Sequence, residues 1–495
     1  MATAQPTETV VVLVLGDVGR SPRMQYHALS LAAPHRRVLL MGYRGERCVP
    51  DVEKQPERIE QVLLSPDLIP RPRRRALYAL YAPLKAVLQV LQLLWALLVA
   101  RRRPDVLLVQ TPPAIPTLAV AWFVRALGSK VVIDWHNLAF TIMEQSLPPS
   151  HPFLPVARRY ERLFSRAGDA HLCVTAAMQA WLREQWGVEA RVLHDRPPAF
   201  FRALEPQPRH ELLRRLRPQF VDAHGAPLWA DEAEPGSPWA GGGTPWSRVG
   251  RNGEATPRDD APALLISSTS WTADEDFGLL LGALRQLDER LSGGNDGNDG
   301  NEGGGGGGAR GASLRVVAVI TGKGPLKAQY EEQMRQQPMA RVAVCTMWLE
   351  PQDYPRLLGS ASLGVCLHTS TSGLDLPMKV LDMLGCGLPV CAVGFRALPE
   401  LITHGSNGLV FASAEELAEQ LTSLVAPGEE AAAALRKLRE GVAASEAKQP
   451  RWAENWAQAA APAMVAQPPR LAARAVRYAA PLLAAAAAAA AYLAV

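Results

Sequence analysis

The stretch TSTSGLDLPMKVLDMLGCGLPVCAV, from Thr369 to Val393, crowds two carboxylates and an amine around the start of one short helix. Pro377 suits a first helical turn, so Asp375 falls just ahead of it and Lys379 just inside. Ser372 and Gly373 lie in the loop that leads in. Asp375 complements the positive end of the helix dipole, an effect of ~0.3–1 kcal/mol. Asp382 sits one turn deeper, on the face of Lys379, where capping does not explain it. A carboxylate there, beside a lysine and glycines, is suited to accept hydrogen bonds from sugar hydroxyls.

Three more loops carry residues of this kind. In open parallel sheets, ligands bind beyond the carboxyl ends of the strands, where loops enter helices. GDVGRSPR offers Gly16 and Gly19 for close backbone approach, with Asp17 between them and Arg20 suited to a phosphate. IDWHN brings Asp134, His136 and Asn137 out of an apolar strand, and a polar triplet there is expected to line a cleft. Glu144 follows on the same segment. ITGKGPL places Gly322, Lys323 and Gly324 ahead of Pro325, in the manner of a phosphate loop. The Asp-x-Asp of ADED is better read as a helix start, with Thr272 and Glu275 as a capping box, than as a metal site. No Cys/His spacing suggests zinc and no Gly-x-Ser-x-Gly suggests a hydrolase.

These loops need sheets to hold them. The chain has 495 residues, 48% of them apolar, which predicts two domains with sizeable cores. Lys and Arg number 52 against 48 Asp and Glu, so nothing argues for a nucleic-acid partner. The six cysteines form no CxxC pair and read as small buried hydrophobes in a reducing compartment. VVVLVLG, VLLMGY, DVLLVQTP, KVVIDWHN, AHLCVT and ARVLHD alternate with helical patterns, and ALLISSTSW, LRVVAVITG, RVAVCTMW, ASLGVCLH and LPVCAV do the same further on. Apolar strands alternating with helices predict parallel sheets covered on both faces. Ser21 is expected to cap the helix that Pro22 begins.

The boundaries expected are an N-terminal domain over 8–203, a Pro/Gly-rich, partly disordered insertion or linker over 204–260, and a C-terminal domain over 261–428. Helices over 429–466 and an Ala-rich tail over 467–495, a weak anchor at most, complete the chain. GGNDGNDGNEGGGGGG reads as a floppy loop. Residues Met1 to Thr9 are polar and predict no N-terminal anchor. LKAVLQVLQLLWALLVA, Leu84 to Ala100, is short, contains two glutamines and is flanked by RPRRR and RRR, the pattern of a helix lying in a membrane surface.

VLGDVGRSPRMQYHALSLA, VIDWHN, LLISSTSWTADEDF, ITGKGPL, the long run from WLEPQDYPRLLG through Val393, and NGLVF together closely resemble the chitobiosyldiphosphodolichol β-mannosyltransferases. The resemblance spans Val10 to Phe201 and Ala263 to Trp456. It implies an α/β glycosyltransferase of the GT-B class, two doubly wound Rossmann-like domains facing a central cleft. The implied donor is GDP-mannose and the implied acceptor GlcNAc2-diphosphate-dolichol, at the cytosolic face of the endoplasmic reticulum membrane, where relatives assemble with neighbouring mannosyltransferases. No tightly bound cofactor is implied, and the need for a divalent metal is left open. By resemblance Asp382 holds the ribose hydroxyls and Asp375 meets the donor sugar, although six residues separate the pair here against seven in related transferases. His136 matches a histidine that approaches the donor sugar. The acidic ADEDF region stands where relatives often carry a basic residue, which leaves Lys379, Lys323 and helix N–H groups to meet the diphosphate. A β product from an α-linked donor requires inversion, with a base drawn from Asp134, His136 or Glu144, His136 being preferred. The rival readings are another nucleotide-sugar enzyme of the same fold, a UDP-sugar transferase or a non-hydrolysing sugar epimerase, and a non-catalytic membrane scaffold derived from such an enzyme.

Overall fold

The computed structural model describes residues 8–66, 69–70, 72, 78–101, 103–229, 239, 242–272, 275–293 and 314–465. The RPRRR run from Arg71, the Gly-rich loop and the Ala-rich tail fall largely or wholly outside these. The chain divides into two compact units. One runs to Asp195 and resumes at Pro450; the other is Arg196–Gln449.

The first unit is built on seven strands: β1 (Glu8–Asp17), β2 (Arg36–Tyr43), β3 (Ile59–Leu64), β4 (Val106–Thr111), β5 (Lys130–Trp135), β6 (Ala170–Cys173) and β7 (Arg191–Val192). Their order is β3-β2-β1-β4-β5-β6-β7, and every pairing is parallel. Runs such as VVVLVLG bury both faces, because helices cover the sheet on either side. The edge strand β3, IEQVLL, lies outside the strands expected from sequence; its exposed Gln61 and Leu63 alternate with less exposed positions, as fits a half-exposed edge. The helix Pro22–Leu31 turns Met24, Ala28 and Leu31 inward. Ser21 does not cap it, since its hydroxyl donates back to the Asp17 carbonyl at 2.8 Å. The helix Trp452–Ala459 returns to this unit and packs Trp456 into the same core as Val10, Val12 and Met24.

The second unit holds six parallel strands: β10 (Ala263–Ser268), β11 (Val316–Thr321), β12 (Val342–Met347), β13 (Leu363–Cys366), β14 (Val390–Val393) and β15 (Gly408–Phe411), in the order β12-β11-β10-β13-β14-β15. Ahead of them, the segment expected as a partly disordered insertion or linker carries regular structure over part of its described residues. It contributes the helix Pro206–Leu216 and a small antiparallel pair, β8 (Ser247–Val249) with β9 (Ala255–Pro257). Phe220, Trp229, Trp239 and Trp246 are buried there against the core of the second sheet. Its aromatics follow no helical or strand period, yet they supply the apolar area that orders the segment.

All six cysteines are buried and free. No helix among the described residues is long and apolar enough to cross a membrane. The helix Tyr78–Leu94, continued by a π-helical turn Trp95–Ala100, keeps Ala86, Leu93, Ala96 and Leu97 buried. Leu84, Val87, Leu91, Trp95 and Val99 are 44–69% exposed and recur at helical spacing along its other side.

Candidate active site

In the first unit the polar triplet after β5 is not one open cluster. Asp134 belongs to the strand and is fully buried, which corrects the expectation that it lines a cleft. Its burial is tolerable because Arg23, from the helix after β1, grips both carboxylate oxygens at 2.8 and 2.9 Å. Arg23 also binds Asp195 and the Leu193 carbonyl, each at 2.8 Å. His27, one turn further on, reaches Asp134 Oδ2 at 3.1 Å, and His136 reaches the same oxygen at 2.8 Å through Nε2. Burial alone would raise the Asp134 pKa, but Arg23 and the histidine contacts hold it well below the ordinary carboxylate value.

The consequence is a division of labour. Asp134 stays ionised and is occupied, so it makes a poor proton acceptor. As an acceptor it requires an N–H at His136 Nε2, so in the neutral ring the lone pair lies on Nδ1. The side chain of His136 is 21% exposed, against 0% for Asp134. A part-exposed imidazole held by a buried carboxylate is the arrangement of a general base. Glu144 is exposed in the helix Ala139–Ser146 and joins none of these contacts.

That helix begins three residues after His136, and its start is held by the fully buried Glu161, which accepts from the N–H groups of Ala139 at 2.9 Å and Phe140 at 3.2 Å. Burial outweighs these two donors and pushes the Glu161 carboxyl up to about 7. A carboxyl raised this way stabilises the fold below its unfolded pKa and loses that contribution as pH rises through about 7. Between about pH 5 and about pH 8 the parent is expected to lose up to ~3 kcal/mol more than Glu161→Gln, measurable as a steeper fall in Tm.

The loop after β1 is organised by its own residues. Asp17 accepts from the N–H of Gly19 at 2.9 Å and of Glu46 at 3.0 Å, and the exposed Arg20 lies 3.4 Å from Glu46. A Cβ on Gly19 would meet the Glu46 carbonyl at 2.3 Å, so this glycine serves a close approach within the chain. Gly16 has only Val14 nearby, at 3.5 Å.

In the second unit the strand order reverses between β11-β10 and β13-β14, and loops after β10 and β13 meet at that switch point. Glu275 is not part of a capping box, which corrects the earlier expectation. It is buried, accepts from the Thr269 hydroxyl at 2.5 Å and the Ser270 N–H at 2.6 Å, and pairs with Lys379. Asp276 holds the following helix instead, accepting from the Gly278 N–H at 2.9 Å. Lys379 therefore does not present an uncompensated charge. The helix it begins is Met378–Gly385, with Pro377 just outside. Ahead of it, Ser370 donates to Asp375, with Ser372 3.4 Å from the same oxygen, and Gly373 takes a left-handed φ of 70°. Asp382 is half-buried in the second turn, close enough to raise the pKa of the half-buried Tyr354 beyond the effect of burial itself.

Gly322 and Gly324 again answer to the chain. A Cβ on either would overlap the carbonyl of Thr269 or Ser270 at 1.8 Å. Between them Lys323 is exposed, its amine 3.7 Å from the ring centroid of the half-exposed Trp348. Sequence reasoning missed Arg23, His27 and Glu275. Arg23 and His27 sit at i, i+4 with apolar Met24, Ala28 and Leu31, and charged side chains on a buried helix face were the available signal.

Residues 18–199 match a family described as "Glycosyl transferase 4-like domain", and 309–426 match "Glycosyl transferases group 1". The chain is 43% identical over 457 residues to the human chitobiosyldiphosphodolichol beta-mannosyltransferase, covering 92% of each. It is 40% identical over 453 residues to the Arabidopsis thaliana "UDP-glycosyltransferase TURAN", covering 91% of this chain and 96% of that one. Among solved structures, sucrose-phosphate synthase from Thermosynechococcus elongatus aligns at a TM-score of 0.57 with 12% identity, over 92% of this chain and 98% of that one. Anabaena HepE in complex with UDP and glucose aligns at 0.56 with 14% identity, over 91% and 98%. These two likenesses carry the fold alone, and the fold is GT-B.

Proposed function

From its membership of the chitobiosyldiphosphodolichol β-mannosyltransferase family we propose that this chain, a glycosyltransferase using a nucleotide-sugar donor, moves mannose from GDP-mannose to GlcNAc2-diphosphate-dolichol. The product is Man-β1,4-GlcNAc2-diphosphate-dolichol, the first mannosylated lipid-linked precursor of N-glycans, formed at the cytosolic face of the endoplasmic reticulum membrane. The observation that carries the reaction type is His136, part-exposed and oriented by the buried Asp134.

The donor is α-linked and the product β-linked, so one in-line displacement with inversion is required. His136 Nδ1 takes the proton of the acceptor hydroxyl as that oxygen attacks the anomeric carbon, and GDP departs with the electrons of the broken bond. Lys323 and the N–H groups at the start of Met378–Gly385 meet the departing charge, while Lys379, already paired with Glu275, positions more than it neutralises. Asp382 receives the ribose hydroxyls, and Asp375, engaged by two serines, shapes the sugar end of the seat.

The lipid-bearing acceptor calls for a membrane surface, and the exposed face from Leu84 to Val99 is the part of the first unit suited to it. Leu91→Gln with Trp95→Gln is expected to weaken binding to phospholipid vesicles at least ~tenfold, since each large side chain withheld from the apolar layer forfeits ~1.5 kcal/mol or more. Sedimentation with vesicles measures it. Equal binding by parent and double variant would remove this face from the interface.

The test of the whole reading is incubation of the purified full chain with GDP-mannose and a lipid-linked chitobiose analogue. A product that β-mannosidase cleaves is expected; no product, or a resistant one, would overturn it. A UDP-sugar donor is the second reading, favoured by the Arabidopsis relative's name. Inhibition by UDP and not by GDP would establish it.

A further inference from the structure

Behind His136 the network continues to the far end of the chain. Trp456, in the helix Trp452–Ala459, donates its indole N–H to His27 Nδ1 at 2.9 Å. An indole nitrogen can donate and cannot accept, so Nδ1 of His27 must be the bare nitrogen. The proton of His27 is therefore on Nε2, directed at Asp134 Oδ2 at 3.1 Å. His27 is fully buried, and burial lowers its pKa against the pull of Asp134, which keeps the ring neutral. One oxygen thus accepts from Arg23 Nε, His27 Nε2 and His136 Nε2, at 2.8, 3.1 and 2.8 Å.

We propose that Trp456 and His27 are positioning residues for the transfer, in which the indole N–H and Asp134 hold the His27 ring from its two nitrogens and so fix the oxygen on which His136 is oriented. Without that donor, Nδ1 of the buried ring is left unsatisfied and the ring is held on the Asp134 side alone. Asp134 shifts, and His136 loses the single orientation in which Nδ1 is open to the acceptor hydroxyl. The helix is anchored independently of this contact, by Trp452 Nε1 to Ser30 Oγ and by Asn455 Nδ2 to the His194 carbonyl, both at 2.9 Å. The inference rests on the mannosyl-transfer reading for its kinetics and on the geometry alone for its tautomers.

Trp456→Phe removes the N–H and keeps an aromatic ring. Its kcat is expected to fall at least ~tenfold with the donor KM within about twofold, because a base that loses its orientation costs the chemical step more than binding. In spectra of the 15N-histidine-labelled full chain, the parent should show His27 with a hydrogen-bonded bare Nδ1 and a protonated Nε2, and the variant a shifted Nδ1 resonance, its hydrogen bond to the indole gone. A folded variant with an altered His27 spectrum and unchanged kcat would overturn the proposal, as would an unchanged spectrum. If Trp456→Phe does not fold, His27→Gln, whose carboxamide can accept from Trp456 and donate to Asp134, should keep its kcat within about fivefold of the parent, while His27→Leu falls at least ~tenfold. Equal losses in those two would overturn it as well. A parent that transfers no mannose sinks the functional reading, while the His27 spectrum still tests the tautomer.

Discussion

Replacing His136 with alanine is expected to lower kcat by ~10³ while the KM for GDP-mannose stays within about threefold of the parent, because a positioned base acts on the chemical step far more than on binding. The acceptor hydroxyl has a pKa far above neutrality, so attack without a base must generate an alkoxide or a protonated ether. The imidazole avoids both, and Asp134 directs which of its nitrogens is bare. Steady-state kinetics with varied donor separate the two parameters. A raised donor KM with kcat intact would make His136 a binding residue and move the base elsewhere.

The second large effect is on stability. Arg23→Leu would leave Asp134 buried with no guanidinium on its two oxygens, and stranding a buried charge costs ~3–5 kcal/mol, on the order of 10 °C in Tm for a unit of this size. In the parent, Asp134 is held below its ordinary pKa, so its contribution persists at all pH values above the unfolded value near 3.8 and fades only as pH falls through the lower folded one. Without Arg23, burial dominates and the carboxyl rises, so the deficit of the variant should shrink on acidification as Asp134 takes up a proton. Thermal melts at neutral and acid pH test both the size and the trend. An Arg23→Leu, Asp134→Leu double variant should recover part of the loss, since an apolar pair in a buried ion pair's place is often neutral.

Much of the fold was legible because parallel strands buried on both faces write continuous apolar runs, as VVVLVLG and KVVIDW do. Strand β3 escaped because an edge needs only one apolar face, and IEQVLL mixes the two. The folded part of 204–260 escaped because Trp229, Trp239 and Trp246 are ordered by contact with a distant sheet and follow no local period. The site divides the same way. His136 stands at a strand end, and Asp375, Lys379 and Asp382 lie in the loop and helix that follow one, where a topology rule can find them. The partners that set their chemistry lie far along the chain: Arg23 is 111 residues from Asp134, and Glu275 is 104 from Lys379. A local pattern such as a capping box could compete for Glu275 because nothing nearby in sequence names its true partner.

The return of the chain to its first unit at Pro450 sets a timetable for synthesis. The segment through Asp195 leaves the ribosome with Arg23, Asp134 and His136 all made, yet the indole that meets His27 is still some 260 codons away. At ~5–20 residues per second that is a wait of roughly 13–50 s. During it the apolar groove that receives Trp456 stands open beside Val10 and Met24. A nascent chain in that interval is a client for chaperones, and a reading frame cut short before Pro450 would leave it one permanently.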